Sequence, residues 1–314
     1  MKNMMEETND KPSILVMMST YNGEKYIREQ IDSIMHQKVE ADITLRIRDD
    51  GSQDDTCLEI EKLMTAYPGK IELIKGENKG YNASFFELIN MASGYEFYSI
   101  SDQDDVWLED KLQVAIDKLS NANLSMPLLY ASTSFLVEDN LLPYGTTRKR
   151  EREFSIYNTI IQNICPGHTQ VLNEALLKLI QGNVDAKRIY VYDSWICNIA
   201  MLYGKIVFDN DSHTYYRQHR ANQLGYGKGW RGQLLTSMKH ADSGDGTKYR
   251  NQVAYFLEKN QNELMKQGYY KEIYRFVNSN NIIKKVRYVL TGKLFRQKKM
   301  ETIAFYIAVI LGKF

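Results

Sequence analysis

Cysteine is scarce in this chain. Its three cysteines, Cys57, Cys165 and Cys197, lie far apart without a C-x-x-C spacing. That excludes a disulfide framework and a zinc knuckle, and it suits a reducing cytosol. Long apolar runs are also missing. The nearest, "IAFYIAVILG", falls short of the roughly 18 residues that a bilayer span requires. The opening "MKNMMEETNDKP" is acidic and polar, without the apolar heart of a secretory leader, so a cytoplasmic protein is expected. Charge of one sign is lacking as well. Forty Lys and Arg against 39 Asp and Glu leave a net charge of +1, too little to recruit nucleic acid. No internal repeat or low-complexity tract is visible. What remains is ordinary for a soluble globular protein, with 43% hydrophobic and 25% charged residues. A chain of 314 residues accommodates one large α/β domain with an appendage, or two modest domains.

Periodicity organises the first 120 residues. "ILVMM" is a continuous apolar run, as in a strand buried on both faces. It breaks at "STYNGE", after which Ile27, Ile31 and Ile34 recur at helical spacing. "ITLRI" reads as a second strand ending in "RDDGSQDDT", and a helix with Leu63 and Met64 on its inner side follows. "KIELIKG" is a third strand, "NASFFELINMA" a helix and "YEFYSI" a fourth strand. "VWLEDKLQVAIDKL" then carries a stripe of Leu108, Leu112, Ala115 and Leu119. Strands alternating with helices over short connections predict right-handed crossovers and a parallel sheet. Such sheets bind ligands beyond the carboxyl ends of their strands. The polar clusters "STYN", "RDDGS" and "SDQDD" all fall there.

Beyond Leu119 the expected elements are a longer strand "LLYASTSFLVEDN" and a solvated charged loop "RKRERE". Helices "NEALLKLIQ" and "DSWICNIAMLYG" follow, then strand-like "KIVFDN" and "HTYYRQH". "GYGKGWRG" holds four glycines in eight residues; it suits a loop closing over a ligand or a plain linker. The division expected is 1–225 for a catalytic domain and 226–314 for a mostly helical, basic region.

"SDQDDVW" sets three carboxylates, Asp102, Asp104 and Asp105, within four residues. Charges that close repel by about 1 kcal/mol per pair even in water. Two readings compete: an acid capping a helix that begins at Val106, or a divalent cation held where a strand ends. Mg²⁺ or Mn²⁺ would take one or two of these carboxylates together with phosphate oxygens.

Taken in order, "SILVMMSTYNGEKYIREQIDSIMHQ", "RIRDDGSQDDT", "NKGYNASFFELI" and "SISDQDDVWLEDKL" resemble the successive motifs of the family 2 GT-A glycosyltransferases. "SDQDDVW" is similar to the bacterial rhamnosyltransferase branch. "CPGHTQVLNEALL", "YVYDSWICNIAMLYGKIVF" and "YYRQHRANQLG" resemble that branch's acceptor-side motifs in the same order. The resemblance spans Ser13 to Gly225. It implies a GT-A (Rossmann-like), mostly parallel sheet flanked by helices, with a helical C-terminal extension.

It also implies roles. Thr20 and Asn22, with Asp49 and Asp50, would hold the nucleoside, an acid accepting from a pyrimidine N3–H. Asn78, Lys79 and Gly80 would line the same pocket. Asp102 would face the ribose and, with Asp104 as first choice and His219, the metal–diphosphate. Gly167, His168 and Thr169 would form a turn beside sugar or acceptor, and Arg217 or Arg220 would neutralise the leaving group. Asp193 in "VYDSW" matches the family's catalytic base. The structural alternatives stand beside these. "DDGSQDDT" also reads as a turn and a helix cap, with Asp54 and Asp55 favoured by the helix dipole. Asp105 suits a helix cap, Asp193 a cap of the helix it precedes, and Trp107 simple packing. The Q-x-x-R-W signature of processive synthases is not evident.

The implied reaction moves L-rhamnose from dTDP-rhamnose to a cell-surface polysaccharide precursor, with another nucleotide sugar such as a UDP-hexose as alternative. A nucleotidyltransferase would want a more glycine-rich, basic first loop than "STYNGEKY". A non-catalytic glycan-assembly subunit would keep the fold without needing Asp193. From Asn281 to Phe314, eight basic side chains face one acid, Glu301. Apolar positions among clustered Lys and Arg suit peripheral contact with an anionic membrane bearing a lipid-linked glycan acceptor. The other reading is packing on the core or in a homodimer.

Overall fold

The computed structural model describes residues 11–182, 184–219 and 245–314. Arg220 and the glycine-rich segment lie outside them. The chain opens with β1 (Ser13–Thr20), α1 (Ile27–Met35), β2 (Asp42–Asp49), α2 (Thr56–Ala66), β3 (Ile71–Lys75), α3 (Tyr81–Met91) and β4 (Phe97–Ser101). β1 is flanked by β2 and β4, and β2 by β3, all parallel. Ile14 to Met18 are fully buried, because helices cover both faces of this central strand. Leu15 and Met17 join one apolar cluster with Phe85 and Leu88 of α3. Ile14, Val16 and Met18 join the other with Ile27, Ile31 and Ile34 of α1. A period of two thus sends alternate residues of one strand into two cores.

The next segment departs from expectation. Val106–Trp107 is not the start of a helix but a two-residue strand, β5. The helix α4 begins at Lys111 and runs to Ser120, with Asp110 in the N-cap position. Leu112, Ala115 and Leu119 are buried as the stripe predicts. After it come β6 (Leu128–Val137), β7 (Pro143–Thr146), β8 (Val171–Asn173), α6 (Glu174–Ile180, following the four-residue α5, Ile156–Thr159), α7 (Tyr192–Tyr203) and β9 (Lys205–Arg217). β9 merges the two expected strand pieces into one.

The sheet order is β3-β2-β1-β4-β8-β6-β9-β5, with β7 on β6. The expected parallel arrangement holds for β1 to β4 and for β6 with β9. β8 is antiparallel to both β4 and β6, and β5 to β9, so the sheet is mixed. Two reversals restore direction, so β6 and β9 run the same way as β4. The end of β9 and the start of β8 therefore meet the carboxyl ends of β1, β2 and β4 along one edge.

Residues 245–314 form α8 (Asp245–Lys259), α9 (Gln261–Lys266), α10 (Tyr270–Val277), α11 (Ile282–Thr291) and α12 (Lys299–Ile310). Phe256, Phe276, Phe305 and Phe314 belong to the same apolar cluster as Leu15 and Trp195. Polar contacts seal the junction. Gln252 Oε1 accepts from the amides of Tyr190 and Val191, directly before α7. Glu301 meets Arg148 at 3.0 Å and accepts from Gln162 at 2.8 Å.

Candidate active site

At the end of β1, Thr20 is buried and donates to Gln103 Oε1 at 2.5 Å. Gln103 also accepts from the Tyr21 amide and donates back to the Tyr21 carbonyl. This side chain inside the acidic cluster clamps the first loop to the fourth strand. Sequence reasoning passed over it, since a glutamine between acids carries no charge signal. Asn22 adopts the left-handed conformation, φ 48°, which Asn tolerates better than most residues. Its amide donates to Ser52 Oγ and its Oδ1 accepts from Gln53 N.

The acids of the second loop are strongly engaged. Asp49 accepts from Gly51 N, Ser52 N and Ser52 Oγ. Asp50 accepts from Lys79 N at 2.9 Å and Gly80 N at 2.8 Å. The structure thus brings Asp50, Lys79 and Gly80 together, while the Lys79 ammonium pairs with Glu87. Asn78 lies beside Gly51, whose φ of 80° strains any side chain and whose Cβ would sit a tight 3.1 Å from the Asn78 amide nitrogen. Behind Asp50 stands Arg48, fully buried and paired with it at 2.5 Å. Arg48 also reaches Ser84 Oγ and the Glu77 carbonyl. It escaped notice in the sequence, although a cation inside an otherwise apolar strand demands a buried acid. Asp54 accepts from Thr56 N and Oγ1 ahead of α2, while Asp55 holds the N-cap position without a side-chain cap bond.

The acidic cluster divides its work differently from expectation. Asp105 caps no helix. It is wholly buried; its Oδ1 accepts from Arg217 N, and its Oδ2 has no hydrogen-bond partner. His168 Nδ1 lies 3.8 Å from Asp102 and 3.9 Å from Asp105. Asp102, Asp105 and His168 offer three ligand atoms within 4.8 Å of one another. His168 is held by Ser134 Oγ at 2.8 Å and stacks on Tyr216. Asp104 instead meets His219 Nε2 at 2.7 Å, with His219 stacked on Tyr26. The expected set of Asp102, Asp104 and His219 is therefore split, Asp102 siding with Asp105 and His168. Arg217 is buried and reaches the Asp104 carbonyl, the Asp139 carbonyl and Glu29. That fastens the end of β9 to the acidic loop. Trp107 is packed inside, beneath the Lys111 ammonium at 3.1 Å from its ring centre.

Crowding and burial shift the titration of the cluster. Burial, then the charges of Asp104 and Asp193, raise the Asp102 carboxyl to about 8. Burial, then Asp104 and Asp102, push Asp105 well above the usual carboxylate range. Burial drives Lys111 well below an ordinary lysine, although Asp105 and Asp102 pull the other way. Burial, assisted by Lys111, lowers His168 to about 3, leaving a neutral imidazole fit to ligate metal. Oxygen ligands, one neutral imidazole and an orphaned carboxylate oxygen fit Mg²⁺ or Mn²⁺.

Asp193 lies in the first turn of α7, not at its cap, a position occupied by Val191. Its Oδ1 accepts from Ser194 N at 2.7 Å, and its Oδ2 from Asn163 Nδ2 and Gly167 N, both at 2.8 Å. Burial raises it to about 6, with these hydrogen bonds opposing. Asn163 is a further residue that sequence reasoning missed. The turn Gly167–Thr169 precedes β8, and the reversal of that strand is what places it here. Thr169 is buried, its hydroxyl bonded to the Pro166 carbonyl. A Cβ on Gly167 would sit 2.1 Å from the Tyr192 hydroxyl, and Tyr192 is locked against Phe85. We expect Gly167→Ala to displace Asp193 and lower turnover about 10²-fold. Steady-state kinetics check this; unchanged turnover would free Asp193 from dependence on the turn.

Comparison with known proteins agrees with this geometry. Residues 15–178 match the profile of "Glycosyl transferase family 2". The dTDP-rhamnosyl transferase RfbG of Shigella flexneri is 32% identical over 225 residues, covering 66% of this chain and 73% of that protein. Residues 1–349 of S. aureus TarS, in complex with UDP, superpose with a TM-score of 0.58 at 18% identity. That match covers 90% of this chain and 76% of that one. The mannosyltransferase PcManGT from Pyrobaculum calidifontis, in complex with GDP-Man and Mn²⁺, superposes with a TM-score of 0.57 at 16% identity. There the coverage is 97% of this chain and 88% of the other. The mixed sheet with flanking helices is the GT-A fold, and the chain is a glycosyltransferase belonging to glycosyl transferase family 2.

Proposed function

We propose that this enzyme is an inverting, metal-dependent rhamnosyltransferase that moves L-rhamnose from dTDP-rhamnose to a cell-surface polysaccharide precursor. The observation that carries the reading is Asp193: one buried carboxylate, oriented by three donors beside the Gly167–Thr169 turn. Such a group suits a general base that takes the proton from an acceptor hydroxyl. As that oxygen bonds to the anomeric carbon, the bond from carbon to the diphosphate oxygen breaks and the configuration inverts. Asp102, Asp105 and His168, with Asp104 and His219 alongside, are the residues that would hold Mg²⁺ or Mn²⁺. A bound cation supplies positive charge for the departing diphosphate. Thr20, Asn22, Asp49, Asp50 and the Asn78–Gly80 loop flank the nucleoside on this reading. Similarity to RfbG supports the sugar. The UDP-GlcNAc complex of TarS, a fold neighbour, keeps a UDP-sugar as second reading. No described helix is long and apolar enough to cross a membrane; we place the acceptor on a lipid carrier at the inner face of the cell membrane.

Calorimetry with dTDP and UDP, with and without Mn²⁺, tests this. We expect metal-dependent binding that prefers dTDP and weakens at least tenfold in Asp104→Ala, about 1.4 kcal/mol. A preference for UDP would move the donor to a UDP-sugar, and binding of neither nucleotide would overturn the reading. Binding at pH 7 should also release protons, because Asp102, raised to about 8, must ionise to ligate. Heats compared across buffers of different ionisation enthalpy report the number released. Zero release would place the cation elsewhere.

A further inference from the structure

The two helices α11 and α12 pack against each other and leave apolar faces outward. On α11, Tyr288 is buried, while Ile283 and Leu290 are 77% and 78% exposed. On α12, Phe305 and Val309 point into the core, while Met300, Ile303, Ile307 and Leu311 are more than half exposed. Positions 283 and 290, and 300, 303, 307 and 311, recur at the spacing of one helical stripe. Each helix therefore has an apolar outer face as well as a packed inner one. Exposed apolar surface gathered on adjacent elements marks an interaction site.

Charge identifies the occupant. Lys284, Arg287, Lys293 and Lys299 are exposed and have no acidic partner among the described residues. Glu301, the single acid of this stretch, is neutralised by Arg148 at 3.0 Å. Two copies of this face would bring like charges together, which disfavours a homodimer through it. A bilayer with anionic headgroups matches both features, taking apolar side chains at the acyl boundary and basic ones at the phosphates. We propose that the outer face of α11 and α12 docks this enzyme onto an anionic membrane surface. This extends the reading of a lipid-borne acceptor but stands on the surface residues alone.

Flotation of the full chain with lipid vesicles tests it, in the absence of any nucleotide sugar. Wild type should float with vesicles of phosphatidylcholine and phosphatidylglycerol, and much less with phosphatidylcholine alone. The pair Ile303→Glu and Ile307→Glu should abolish flotation at an unchanged melting temperature. Lys284→Glu with Lys299→Glu should weaken it at least 25-fold, at about fivefold per basic side chain lost. Wild type remaining in the bottom fraction with both vesicles would overturn the proposal, as would variants that float like wild type. So would a dimer, seen by sedimentation, that Ile303→Glu and Ile307→Glu dissociate while wild type fails to float. None of these readouts depends on sugar transfer, so failure of the rhamnosyltransferase reading would leave this one standing.

Discussion

Asp193→Asn is expected to lower turnover about 10³-fold or more while leaving nucleotide affinity within about twofold of wild type. The carboxylate is unable to leave its position, because Asn163, Gly167 and Ser194 all donate to it. An amide in its place keeps the shape and loses the basicity. Stability should change little. The wild-type protein carries a buried charge that Asn removes, while the amide accepts fewer of the three hydrogen bonds, and these effects oppose. Kinetics with dTDP-rhamnose and an acceptor glycan, alongside thermal melting, separate chemistry from folding. Retained turnover in the variant would assign this chain a non-catalytic role in glycan assembly.

The same residue sets a pH dependence. Its folded pKa, about 6, lies above the ordinary Asp value near 4. A general base works as the carboxylate, so with Asp193 in the proposed role turnover should be level above pH 7 and fall about tenfold per unit below 6. The stability sign is opposite. A carboxyl raised by burial favours the folded state while protonated, so this group's contribution is largest at low pH. It is lost as the pH rises through 6. A turnover profile flat down to pH 5 would exclude Asp193 as the base.

The second large effect concerns Arg48, which binds no substrate on any reading above. Arg48→Met should destabilise the fold by about 3–5 kcal/mol. Both it and Asp50 are buried, so the substitution strands the Asp50 carboxylate without its cation. Asp50 also holds the amides of Lys79 and Gly80, so nucleotide affinity should fall with stability. Adding Asp50→Asn to Arg48→Met should recover much of the loss, because no unpaired charge then remains. Denaturant titration of the two single variants and the double variant gives the coupling directly. Additive losses would show that the pair is not an energetic unit.

Much of this protein is legible without coordinates. The continuous run at Ile14 to Met18 announces a central strand because only a sheet covered on both faces accepts it. The stripe at Ile27, Ile31 and Ile34 announces its covering helix. Loops at the carboxyl ends of such strands must lie along one edge, so "STYN", "RDDGS" and "SDQDD" converge whatever follows. The motif names Asp193 as a candidate base, and the fold buries it against the Gly167 amide. The helix expected at Val106 failed because capping chemistry looks alike before a helix and before a short edge strand. Asp105 answers to Arg217, more than a hundred residues away.

By itself, then, the sequence determined the alternation, the strand-end edge and the acids that gather on it, since all three follow from local periodicity and polarity. Only the tertiary structure decided the partners. Inserting β8 antiparallel between β4 and β6 swings the Gly167–Thr169 turn to the cluster and puts His168 beside Asp102. The end of β9 carries His219 to Asp104, and Cys165 and Cys197 come to 3.5 Å in the core. Strand order and direction are set by which faces bury best across the whole chain. No window of a dozen residues contains that choice.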